Sequence, residues 1–195
     1  MKGILPALGL LMFAACCPQQ SEPDVPLGAS VPAYDRGEWG RWIDADKDCQ
    51  DSREEVLIAE SEEPVQYDAR GCKVIAGKWT DLYTGEVITD PTVIDIDHVV
   101  AIQEAHNAGG WRWSKEEKLA YFNDLTLGDV LIAVGRSVNR SKGSRDIDEW
   151  MPPSEGAHCE YLRMRAAVFS KYSLDFDCAA YVQRMSTVCK AKESK

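Results

Sequence analysis

Residues 92–106, TVIDIDHVVAIQEAH, begin as a β-branched run and then set Asp95, Asp97 and His98 close together. Strands of Val, Ile and Thr normally stop at turn residues rather than at two carboxylates and an imidazole. Two further polar features follow: Asn123 behind a helical stretch, and NRSKG at residues 139–143. Each has an ordinary explanation. A lone histidine is more often structural, an asparagine behind a helix more often caps it, and a Ser-Lys-Gly segment is usually a solvated turn.

Together they offer what phosphodiester hydrolysis needs: an activated water, neutralised charge on phosphorus and a stabilised leaving oxygen. Imidazole titrates near ~6.5, which suits proton abstraction from water at neutral pH. A carboxylate and an amide oxygen, from Asp97 and Asn139, suit a hard divalent cation, Mg²⁺ first and Mn²⁺ or another divalent ion after it. Lys142 and Arg140 can meet phosphate by charge and, for arginine, by a bidentate fork. Arg145 and Arg136 are weaker candidates of the same kind. Asp95 has two readings: a carboxylate orienting His98 or a metal-bound water, or an exposed strand residue.

Geometry sets a condition on this chemistry. Neighbouring side chains on an ideal strand point to opposite faces. For Asp97 and His98 to serve one site, the chain is expected to leave regular strand geometry at or just after Asp97.

The elements that must position these groups follow from patterning. The runs at residues 73–79 and 92–97 flank a Tyr-Thr-Gly turn and read as a hairpin or two neighbouring strands. VVAIQEAHNAGG predicts a short helix stopped by a glycine pair, with His106 on its surface. Ser52 with Glu55, and Ser114 with Glu117, are two capping boxes that open helices. Residues 156–172 and 175–190 predict an amphipathic helical pair. The segment YDRGEWGRWIDADKDCQ reads as aromatic, turn-rich, irregular chain with short strands. Its DADKD (residues 44–48) suggests a calcium loop only superficially, without the glycine and distant glutamate of an EF-hand. With no internal repeat, the economical reading is one α+β domain over residues 31–190.

The N-terminus has a different character. Residues 1–15 carry one charge, Lys2, before an apolar run too short to span a bilayer comfortably, which reads as a signal peptide. Phe13-Ala14-Ala15-Cys16 resembles a bacterial lipobox, with Cys16 as the lipidated residue and membrane attachment as the consequence; simple secretion is the alternative. Residues 16–30 read as a flexible tether. Export gives meaning to Cys49, Cys72, Cys159, Cys178 and Cys189, since cysteines in an oxidising compartment usually pair. The expected bridges are Cys49–Cys72 and Cys159–Cys189, leaving Cys178 free or joined to the tether. Without residues 1–15 the chain keeps 21 of its 22 basic residues and all 32 acidic ones, a net charge of −11. That argues against a tight nucleic-acid binder, which is normally basic, but not against an enzyme with a local cationic groove.

The motifs DIDHVV, FNDL, VNRSKGSR and WMPP, in this order and with DCQDSR and GKWTDLYTG upstream, resemble the HNH or ββα-metal (His-Me finger) nucleases. The nearest variant is the GmrSD-type C-terminal HNH domain in its exported form, and the resemblance covers most of residues 34–172. It implies a ββα-metal core with additional N- and C-terminal helices. It also implies a metal-dependent endonuclease acting on DNA, with RNA as a second substrate. On this resemblance His98 is the general base, and Asn123 the middle asparagine that bonds loop backbone to hold the histidine strand. Ala101 departs from the proline common in these nucleases, and His106 stands where the family often has an aromatic residue. The competing expectation is an envelope lipoprotein that uses an HNH-like fold as a non-catalytic binding or structural module.

Overall fold

The structure is a computed structural model that describes residues 30–126 and 128–189. The expected signal peptide, Cys16 and all but the last residue of the tether lie outside the described residues. The architecture is α+β: short antiparallel sheets among six helices. β1 (Gln66–Tyr67) pairs with β2 (Val74–Ala76), β3 (Trp79–Thr80) with β4 (Val87–Ile88), and β5 (Ile94–His98) with β6 (Leu131–Gly135). The runs at 73–79 and 92–97 therefore belong to different sheets. Each finds its partner elsewhere, and the expectation that they neighbour each other fails.

β5 and β6 are the central pair, in register from Ile94 opposite Gly135 to His98 opposite Leu131. Their residues are almost wholly buried; β6 is accordingly a continuous apolar run, Leu131–Val134, whereas β5 alternates Ile with Asp. β6 leads directly into α4 (Arg136–Lys142), which packs on both strands. The outer edge of β6 is closed by carboxylates: Asp81 Oδ2 accepts the Gly135 amide at 2.8 Å and Glu60 Oε2 the Ala133 amide at 2.8 Å. Edge amides satisfied in this way cannot recruit a further strand.

α1 (Ser52–Glu60) starts one residue earlier than its capping box predicts. Asp51 is the N-cap, accepting from the Arg53 and Glu54 amides, and Ser52 is already helical. α3 (Lys115–Phe122) carries the predicted box, Ser114 with Glu117. α2 (Ile102–Asn107) ends before Gly109, whose φ of 114° only glycine adopts readily. α5 (His158–Lys171) and α6 (Cys178–Cys189) form the C-terminal pair. Both expected bridges are present, Cys49–Cys72 and Cys159–Cys189, and Cys178 is disulfide-bonded as well. One continuous core joins Trp39, Trp79 and Tyr83 to the buried faces of β5, β6, α3 and α5.

Candidate active site

β5 keeps its ladder through His98, and the Val99 amide still donates to the Val130 carbonyl at 3.0 Å. The chain then bends at Val99–Val100 and enters α2, so the break comes one residue later than expected. Three successive carbonyls at this bend lose strand partners and gain side chains instead. Lys142 Nζ donates to the His98 carbonyl at 2.8 Å, Arg165 to that of Val99 at 3.1 Å, and Tyr121 Oη to that of Val100. Helices α4, α5 and α3 thus each supply one donor to fix the bend, which leaves no buried carbonyl unpaired there.

Because the strand is regular, Asp97 and His98 project oppositely. The Asp97 carboxylate, 5% exposed, accepts from Tyr83 Oη at 2.6 Å and from Lys142 Nζ at 2.9 Å. The His98 ring lies on the other side among aromatic rings. Trp42 is parallel to it within 6°, Tyr121 within 21°, and Phe122 is tilted with centroids 5.0 Å apart. His98 Nε2 lies 3.0 Å from the Phe122 carbonyl. A carbonyl can only accept, so Nε2 carries the proton and Nδ1 the lone pair. Nδ1 has no hydrogen-bond partner among the described residues. Burial first, then the charges of Lys142 and Arg36, pull the imidazole down to about 3 against the opposing pull of the Phe122 carbonyl. The ring is neutral at physiological pH.

A cleft of about 230 Å³ crosses this strand end. It is bordered by Asp97 and His98, by Ala101–Gln103 at the start of α2, by Asn139, Gly143 and Ser144, and by Tyr34 and Arg36. Asp97, His98 and Asn139 are therefore brought to one cleft although the first two leave the strand on opposite sides. Asn139 Nδ2 reaches Asp95 Oδ2 at 3.4 Å, which leaves its Oδ1 free. Asp95 is also paired with Arg136 at 3.3 Å, so it anchors α4 to β5 and has no contact with His98. Asp97 keeps lone pairs beyond the two that Tyr83 and Lys142 use. Its carboxylate and the Asn139 amide oxygen fit a hard dication that retains waters, although Asp97 would then be shared with the Lys142 ammonium.

Several expected roles need correction. Lys142 is fully buried and its ammonium is spent on Asp97 and the His98 carbonyl, so it is not an exposed phosphate ligand. Arg145 donates to the Lys142 carbonyl at 3.2 Å and to that of Ser141, tying the end of α4. Arg140 is exposed but does not line the cleft. Asn123 bonds loop backbone as expected, but it is the backbone around Trp42 and not the histidine strand itself. Its Oδ1 accepts from the Ile43 amide at 3.0 Å and Ser52 Oγ at 2.7 Å, while Nδ2 donates to the Arg41 and Leu119 carbonyls at 3.0 Å. The side chain thus grips the backbone on both sides of Trp42, the ring that lies on His98. His106 is no surface residue: it is 2% exposed and its Nε2 meets the Pro32 carbonyl at 2.9 Å.

What patterning missed is the segment running from Pro32 to Ile43. It lies over the site as a strap, with Tyr34 edge-on to His106, Trp39 buried against Tyr121, Trp42 on His98 and Arg36 in the cleft. The density of aromatic residues in YDRGEWGRW was the available signal. Beyond the strap, the Asp44, Asp46 and Asp48 carboxylates converge within 4.8 Å of one another on the exposed surface. Cys49 takes a φ of 78° where an EF-hand loop has glycine, and Glu55 stands twelfth counting from Asp44. The expectation that this loop lacks a distant glutamate is therefore wrong. Burial, then Asp48, Asp46 and Asp44, raise the Glu55 carboxyl above its usual value. The loop carboxylates accept amides of Lys47, Asp48, Cys49 and Gln50.

Comparison with known proteins locates the chain among its relatives. It is 34% identical to an uncharacterized secreted protein of the fungus Arthroderma benhamiae over 146 residues, which is 75% of this chain and 70% of the relative. The chain belongs to this family of secreted proteins. No family model matches it, and no solved structure does. The secreted relative and the paired cysteines agree on an exported protein.

Proposed function

We propose that this exported protein is a metal-dependent HNH endonuclease that hydrolyses phosphodiester bonds in DNA, with RNA as a second substrate. The observation that carries the reading is His98. It is a neutral imidazole clamped at Nε2 by the Phe122 carbonyl, with Nδ1 unpartnered, in a cleft that also takes Asp97 and Asn139. β5, β6 and α4 would be the ββα-metal core, with the strap and α5–α6 as its additions.

A divalent cation held by Asp97 and Asn139 would neutralise charge on the phosphoryl group and the departing oxygen. His98 Nδ1 takes a proton from water, and the water oxygen attacks phosphorus in line as the P–O3′ bond breaks, leaving 5′-phosphate and 3′-hydroxyl ends. The Nε2–H bond and the flanking rings keep the imidazole from rotating as it becomes charged. Its low basicity in the free protein has to rise in the complex, and a phosphate arriving beside it acts in that direction.

The test is plasmid nicking by the full chain with Mg²⁺ or Mn²⁺. His98→Ala is expected to lose about 10²–10⁴-fold, the usual weight of a general base, and Asp97→Ala to be comparably impaired. Equal inertness of wild type and both variants across several metals would sink the catalytic reading. One observation favours the non-catalytic alternative: Asp97 and Lys142 already neutralise each other in the core. On that reading the cleft is a remnant and both variants change stability alone.

Lipid attachment at Cys16 is a further part of the proposal. It is supported by the lipobox-like residues 13–16, while the secreted fungal relative favours free secretion. The mass of the mature N-terminal peptide separates the two.

A further inference from the structure

We propose that Arg36 is the residue that receives the substrate phosphate in the His98 cleft, the role that sequence patterning assigns to Lys142, Arg140 and Arg145. The assignment rests on the nuclease reading above and deepens it.

Among the residues lining the cleft Arg36 is the sole lysine or arginine. The alternatives are committed elsewhere or lie outside: Lys142 in the core with Asp97, Arg145 on carbonyls of α4, Arg136 on Asp95 and the Thr92 carbonyl. Arg36 forms no ion pair with a carboxylate among the described residues, and it is exposed to solvent. One guanidinium nitrogen donates to the Gly40 carbonyl at 3.2 Å, and the group lies 4.4 Å over the Phe122 ring. These contacts orient the guanidinium while leaving most of its five donors for an anion. A planar fork suits two phosphate oxygens.

Phe122 makes the juxtaposition specific. Its carbonyl holds His98 Nε2 and its ring carries Arg36, so one residue sets the distance between the base and the cation. The strap that brings Arg36 is itself held by Asn123, the next residue in the chain. A protein of net charge −10 has to hold a polyanion locally, and this cleft has one cation free to do so.

The experiment uses the full chain, a short labelled DNA duplex in EDTA for binding, and plasmid cleavage in Mg²⁺ for turnover. Arg36→Ala is expected to weaken binding about tenfold and to reduce the slope of log affinity against log salt by about one, as for one lost phosphate contact. Cleavage should fall about a hundredfold, since the same contact also stabilises the transition state. Arg36→Lys should restore the salt slope and only part of the cleavage, because it keeps the charge and loses the fork. Arg140→Ala and Arg145→Ala should lose less on each measure. Wild-type affinity and salt slope in both Arg36 variants, in a chain that still cleaves, would overturn the assignment and leave the nuclease reading standing. A larger loss in Arg140→Ala or Arg145→Ala would overturn it too. A wild type that neither binds nor cleaves sinks the nuclease reading first, and this one with it.

Discussion

Two adjacent residues of β5 face opposite environments. On the side of Asp97 every charge is answered: its carboxylate meets the Lys142 ammonium and the Tyr83 hydroxyl, and Asp95 meets Arg136. On the side of His98 the surroundings are aromatic, with a single carbonyl contact and one nitrogen left open. Burial has opposite consequences for the two. The Asp97 carboxylate is met by a buried cation, whereas an imidazole among rings gives up its proton. The first side is built as a closed ion pair, which fixes α4 against the strand. The second is built as an oriented, neutral base. A strand that alternates faces can thus separate the group that holds the site together from the group that would act in it.

The largest effect should come from opening the closed side. Lys142→Met leaves the Asp97 carboxylate buried without its countercharge and the His98 carbonyl without its donor. The expected cost is about 3–5 kcal/mol in urea unfolding, the usual penalty for breaking a buried pair from one end. Adding Asp97→Asn removes the stranded charge, so the double variant should recover at least half of that loss. Single and double variants of equal stability would mean that the pair is not the closed unit described.

The aromatic side should respond more in activity than in stability. Asn123→Ala orphans the Ile43 amide and the Arg41 carbonyl, and so loosens the backbone on both sides of Trp42. A loss of about 2 kcal/mol is expected from these hydrogen bonds. Cleavage should fall about tenfold at temperatures where the variant is fully folded, because the Trp42 ring no longer fixes His98. Ser52→Ala removes one of the four Asn123 contacts and leaves the strap gripped, so its cleavage should stay close to wild type. Equal losses in the two variants would show that Asn123 supports folding alone.

The contrast also explains which features could be read from sequence. β5 announces itself through Ile94 and Ile96, although Thr92 and Val93, read as strand, form a 3-10 turn before it; the α3 cap is legible through Ser114 and Glu117, and both described bridges through cysteine placement in an exported chain. These are local or covalent signals. Lys142 was misassigned because lysine ordinarily sits in water, and only Asp97, 45 positions away, reverses that. The strap was read as irregular chain with short strands, and among the described residues it has a 3-10 turn at Arg36–Trp39 and no strand. Its value lies in Asn123 reaching back 80 positions to Ile43 and in rings that meet His98 only after folding. The pairing of β5 with β6 was missed for the same reason: a helix-rich excursion separates them, while β2 lies nearer in sequence.

A half-buried carboxylate, Glu60, sharpens the comparison by lacking a cation. Glu60 closes the free edge of β6 through the Ala133 amide, and burial pushes its carboxyl up to about 7 against that one opposing bond. A folded value above the unfolded one means that between about pH 4.5 and 7 the folded chain holds more proton than the unfolded chain. This contribution is complete below pH ~4.5 and is lost as pH rises through 7. At roughly 1.4 kcal/mol per pH unit the loss is at most about 3 kcal/mol, and nearer half of that with the water still reaching the group. Glu60→Gln keeps an acceptor for the Ala133 amide and removes the titration. The variant should match wild type near pH 5 and exceed it by about 1–2 kcal/mol at pH 8 in urea unfolding. Taking the difference between the two profiles cancels the His98 contribution, which runs the other way and is lost as pH falls from ~6.5 toward 3. A flat difference profile would place Glu60 in contact with a cation or with bulk water, and would remove the distinction between it and Asp97.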